Sequence, residues 1–93
     1  MTINEFYKIC AQVKVDHPSF RIGQTYCTVL SIVDSRLADK IRGTAFHCYY
    51  DNAKIPEFFV WLSENWNDQA EHWQNAKKNH NFKLIEKYLP EGE

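Results

Sequence analysis

Thr25-Tyr26-Cys27-Thr28-Val29-Leu30-Ser31-Ile32-Val33 separates two architectures, because its β-branched content alone reads as a strand. Its periodicity reads otherwise. Ile22, Tyr26, Val29, Leu30, Val33, Leu37 and Ile41 recur mostly three or four residues apart, a stripe that a helix gathers on one side and a strand would scatter over both faces. The spacing predicts helix over 19–42, either continuous or restarted at Asp34-Ser35, where the aspartate can cap a fresh turn. Gly43, just after Lys40 and Arg42, is placed to end it as a left-handed stop, with cations at the negative helix end. The expected fold class is all-α, a single small domain of three to five helices over residues 1–93. The alternative is α+β, with 25–33 and 44–50 paired as a short two-stranded element.

Upstream, Thr2-Ile3-Asn4-Glu5 has the form of a capping box, and Ile3, Phe6, Cys10 and Val13 follow on one face, so a first helix is expected over 3–15. Downstream, 44–52 is aromatic and lacks a helical stripe, which suits a packed connector or a short strand. Pro56 fits the first position of a helix. At about 100° per residue, Ile55, Phe59, Leu62, Trp66, Ala70 and Trp73 share a side opposite Glu57, Glu64, Asp68 and Glu71, and one long amphipathic helix over 56–75 is expected. Phe59 and Trp66 are then core residues. Phe82, Ile85, Tyr88 and Leu89 form a last short apolar face.

Composition narrows the function classes. A chain of 93 residues with 44% hydrophobic and 15% aromatic content folds as one core, which excludes a multidomain enzyme. Eleven Lys plus Arg against twelve Asp plus Glu give a net charge of −1, the signature of neither a nucleic-acid binder nor a nucleic-acid mimic. The first ten residues lack a basic stretch followed by an apolar run, and no window reads as a membrane span, so a cytoplasmic location and no membrane contact are expected. Cys10, Cys27 and Cys48 are odd in number and set among apolar residues, as reduced core cysteines are.

No motif dictates a chemistry. His47-Cys48 with Asp51 offers a thiol beside a base, but neighbours on an extended chain face opposite ways, and no catalytic residue is assigned. His17, His47, His72 and His80 form no close pair with each other or with the cysteines, so no metal and no cofactor are expected, and the histidines are placed at the surface or at helix ends. Arg21 and Gln24, three apart around Gly23, make a polar patch. Its favoured use is internal, tying down Tyr49, Tyr50 and Asp51 through a carboxylate and aromatic faces. Trp61 falls beside the acidic stripe and off the core side, so it is read as partly exposed. A Trp ringed by Glu57, Glu64, Asp68 and Glu71 has the composition of a protein-binding anchor. Within 51–71 those four acids and Asp51 stand against Lys54 alone, a local net of −4, whereas Lys77, Lys78, Lys83 and Lys87 reverse the sign beyond it.

Arg21-Ile22-Gly23-Gln24-Thr25-Tyr26, then Leu30, Leu37-Ala38, Ile41-Arg42-Gly43-Thr44 and Ile55-Pro56-Glu57-Phe58-Phe59-Val60-Trp61, resembles a pattern in short uncharacterised proteins of tailed bacteriophages and prophages. The likeness spans residues 21–66. It departs where that group has Asp-Pro before aromatics and this chain has His47-Cys48-Tyr49-Tyr50. The resemblance implies no activity. It implies a small non-catalytic accessory protein in the host cytoplasm that binds, and inhibits or redirects, a bacterial host protein such as a defence factor. A small nucleic-acid-associated regulator and a thiol-dependent enzyme are the alternatives, both disfavoured, and a homodimer built on Trp61 fits the same features.

Overall fold

The structure, a computed structural model, describes residues 1–92. Five helices follow in order, α1 Ile3–Asp16, α2 Ile22–Val33, α3 Ser35–Arg42, α4 Ile55–Asn65 and α5 His72–Lys77. Short 3₁₀ turns occupy Asn52–Lys54, Phe82–Leu84 and Glu86–Tyr88, and there is no strand among the described residues. The all-α class holds, and residues 25–33 are helical.

Burial explains why a β-branched run takes that form. Val29, Leu30, Ile32 and Val33 are all 1% exposed or less, so α2 is apolar nearly all round and serves as the central element, packed on α1, α3, α5 and the turn at Asn52–Lys54. Two of its hydroxyls bond back to preceding carbonyls, Thr25 Oγ1 donating to Arg21 O at 2.9 Å and Ser31 Oγ to Thr28 O at 2.6 Å. At Asp34 the backbone turns out of helical geometry, and its Oδ1 accepts the Leu37 N–H at 3.2 Å, so the 19–42 segment is two helices.

α1 starts as its sequence foretells, with Thr2 Oγ1 accepting the Glu5 N–H at 3.1 Å and donating to Glu5 Oε1 at 3.2 Å. Gly43 departs from expectation. Its φ is −81°, so it does not act as a left-handed stop, and α3 ends in tight bonds from Gly43 N–H to Lys40 O and Thr44 N–H to Ile41 O.

The long helix over 56–75 is not formed. α4 stops at Asn65, Trp66 takes an extended backbone, and Asn67 Oδ1 closes an Asx turn on the Gln69 N–H at 2.9 Å before α5 begins at His72. Tertiary contacts fix the break. The Trp66 indole stacks on His72 at 4.5 Å, packs on Phe6 at 5.2 Å and donates to Met1 O at 3.2 Å. Within α4 the buried residues are Phe58 and Leu62, while Phe59 is half-buried and meets Tyr7 and Tyr26 at 5.0 and 5.1 Å.

Candidate functional site

The outer face of α4 carries an uncovered apolar surface. Phe46, Pro56, Val60 and Trp61 line a groove of about 380 Å³, with Glu57 and Glu64 at its edge. Val60 is 59% exposed and Phe46 38%, whereas Trp61 is half-buried and rests against the core. Two local features place Phe46 there. Its N–H donates to Thr44 Oγ1 at 3.1 Å, and Lys54 Nζ donates to Ala45 O at 3.1 Å, drawing the connector back toward the start of α4.

Of the residues read as a partner-binding set, the fold brings Trp61, Glu57 and Glu64 together and leaves out Asp68 and Glu71. Because α4 ends at Asn65, Asp68 sits in the exposed turn, and Glu71 lies in a separate hollow near Arg36, Lys40 and Asn75. The four-acid stripe therefore does not exist as one surface. Phe46 and Val60 were missed. Val60 had a signal, an apolar residue on the polar side of the wheel, but Phe46 had none because the connector lacks a period.

The polar patch is an internal brace. Arg21 Nη2 donates to Tyr49 O at 3.3 Å, and its guanidinium lies 5.6 and 5.7 Å from the Tyr49 and Tyr50 ring centres. Gln24 Oε1 accepts the Arg21 N–H at 3.2 Å, which secures the first turn of α2. Asp51 takes no part in holding Arg21; its carboxylate accepts the Ala53 N–H at 3.0 Å and starts the 3₁₀ turn. Gly23 permits the close approach, since its N–H donates to Asn52 Oδ1 at 3.0 Å and an added Cβ would lie 2.0 Å from Cys48 O.

All three cysteines are buried and free. His47 and Cys48 do face apart: His47 lines a cleft with Arg42, while Cys48 turns inward to Cys27 and Gly23. The bond to Cys27 and burial push the Cys48 thiol far up, so it is a poor thiolate. Burial, aided by the Arg42 charge, holds His47 below the usual imidazole range.

His72 lies at a helix end, as the first residue of α5, but it is buried rather than at the surface. It is 1% exposed, its Nε2 stands 3.5 Å from Asp34 Oδ2, and neither ring nitrogen has a well-formed hydrogen bond. Desolvation pushes the Asp34 carboxyl up, but His72, the Leu37 N–H and the Arg36 charge outweigh it and leave it below the ordinary value. Among the described residues no three His, Cys, Asp or Glu side chains converge on a point that could hold a metal ion. No helix among them is long and apolar enough to cross a membrane.

Compared with known proteins, the chain matches no family model, no curated protein and no solved structure. The functional reading therefore rests on the groove.

Proposed function

We propose that the protein is a non-enzymatic binding module that docks a bacterial host protein, such as a defence factor, in the α4 groove and thereby inhibits or redirects it. The observation that carries this reading is the uncovered apolar surface of Val60, Phe46 and Trp61 edged by two carboxylates. Water-exposed apolar surface of this kind is stabilised by a partner, and a half-buried Trp is pre-ordered, so docking it costs little side-chain entropy. Glu57 and Glu64 have no ion-pair partner among the described residues and favour a partner with an apolar residue flanked by Lys or Arg. The resemblance to tailed-phage proteins supports placing the module in bacterial cytoplasm.

The test is a tagged pull-down from bacterial lysate with mass spectrometry, beside a Trp61→Ala/Glu64→Lys variant whose fold is checked by circular dichroism. One protein held by the parent and lost by the variant is expected, and retention by both discards the groove. With that partner in hand, Glu57→Lys/Glu64→Lys should slow association by roughly tenfold at low salt and flatten its salt dependence.

A further inference from the structure

Cys27 Sγ and Cys48 Sγ lie 3.7 Å apart, joining α2 to a segment 21 positions later. They are not equally placed. Cys27 lines a cleft of about 400 Å³ whose walls include Arg42, His47, Tyr49 and Tyr50, whereas Cys48 is 0% exposed and does not reach it. Arg21, braced on Tyr49 and Tyr50, fixes one wall of that cleft, and the close pass of Cys48 O over Gly23 fixes the depth of the second thiol. A small reagent entering the cleft meets one sulfur, with the other buried 3.7 Å from it.

We propose that Cys27 and Cys48 are a dithiol oxidation site, at which a hydroperoxide enters the cleft, oxidises Cys27 and leaves a Cys27–Cys48 disulfide. In the first step the Cys27 thiolate attacks the terminal peroxide oxygen, the O–O bond breaks, and Cys27 becomes a sulfenic acid as the peroxide leaves as water or an alcohol after taking up a proton. In the second step Cys48 sulfur attacks Cys27 sulfur, the S–O bond breaks, and the hydroxide leaves as water with the Cys48 proton. One peroxide is reduced and two thiols are oxidised. The order of attack follows from access, since Cys27 lines the cleft and Cys48 is fully buried, and the Arg42 charge favours a thiolate at Cys27. A disulfide would bring the two sulfurs from 3.7 Å to about 2.0 Å. The cross-link would pin to α2 the connector that also carries Phe46, although the site does not depend on the docking reading.

Trypsin places the three cysteines on separate peptides, 9–14, 22–36 and 43–54, so the pairing can be mapped directly. Native protein is treated with hydrogen peroxide, unfolded, alkylated and digested. The expected product joins 22–36 to 43–54, leaves Cys10 alkylated and is reversed by dithiothreitol. Full alkylation of all three cysteines, a link from 9–14 to 22–36, or Cys27 sulfinic acid with Cys48 still alkylated would overturn the proposal. In Cys48→Ser protein the Cys27 sulfenic acid should persist and be captured by dimedone, whereas dimedone capture at Cys48 in Cys27→Ser protein would overturn the order of attack. The wild-type map stands even if either variant folds poorly.

Discussion

A methyl group at position 23 would meet the Cys48 carbonyl oxygen at 2.0 Å, and a backbone oxygen cannot swing aside as a long side chain would. Alanine gains about 0.5–1 kcal/mol over glycine in a helix, but forcing the connector off α2 costs roughly 1–3 kcal/mol or more, so the clash wins. Gly23→Ala should lower stability by about 2 kcal/mol in urea unfolding and speed alkylation of Cys48; unchanged unfolding would mean that the connector does not lie where described. The Arg21-Ile22-Gly23-Gln24 string was legible as a polar patch with a close approach, and so was its tie to the Tyr49 and Tyr50 rings, whereas the Tyr49 carbonyl that Arg21 grips in place of the Asp51 carboxylate was not, because a backbone oxygen has no side-chain signature. Asp34 is a second residue with a consequence. Its folded carboxyl lies below the ordinary value, so its stabilising contribution is full above the unfolded value near pH ~4 and is lost as pH falls through the folded one. Asp34→Asn keeps an acceptor for the Leu37 N–H but removes the charge beside His72. Its stability deficit should therefore shrink between about pH 5 and pH 2. Asp16, also held low by Lys87 and Tyr88, is exposed and present in both proteins, so it cancels in the comparison. A deficit that stays constant with pH would remove the Asp34 carboxylate as its cause.

At the level of elements, α4 carries the sharpest disagreement between pattern and fold. The apolar stripe through Ile55, Leu62, Trp66 and Trp73 stays in register beyond the helix end, and no Gly or Pro interrupts 57–76, so periodicity had nothing to mark the break. What ends α4 is the Asn67 turn and the contacts of Trp66 with Phe6 and His72, which exist only after α1 and α5 have packed. Including residues beyond Asn65 also drew the inferred face toward Phe59. With the helix ended there, Phe58 and Leu62 centre the face and Phe59 and Trp61 flank it, each about 80° off centre. Trp61 was legible as partly exposed because it falls off the centre of the apolar side on either axis, and α1 was legible because cap and stripe agree. Phe58→Ala should cost roughly 3–5 kcal/mol and Phe59→Ala about half as much, read from paired urea unfolding curves. Equal costs, or a larger one at Phe59, would return the face to its sequence-derived axis.

For the whole molecule, the chain's two ends close the same core. Trp66 donates to Met1 O, Asp16 pairs with Lys87 at 2.8 Å and accepts the Tyr88 hydroxyl, and Ile85 is fully buried. The last segment was read as a short apolar face, and Phe82, Ile85 and Tyr88 do share a spacing of three, which is the period of the 3₁₀ turns found there rather than of an α-helix. Such turns are too short to hold themselves, so the order of 82–89 derives from the burial of Ile85 and its neighbours. A domain of this size has about 5–10 kcal/mol of stability in all, and deleting a fully buried Ile side chain to Ala removes roughly 2–5 of it. If the terminal segment belongs to one cooperative core, Ile85→Ala must lower the unfolding midpoints seen by far-ultraviolet circular dichroism and by Trp fluorescence together. The helices report through the first signal, and Trp61, Trp66 and Trp73, none of them in the segment, report through the second. Two separated transitions, or midpoints left unchanged, would instead make 82–92 an appendage whose loss the five-helix core survives, and coincidence of both shifted curves is the outcome the packing requires.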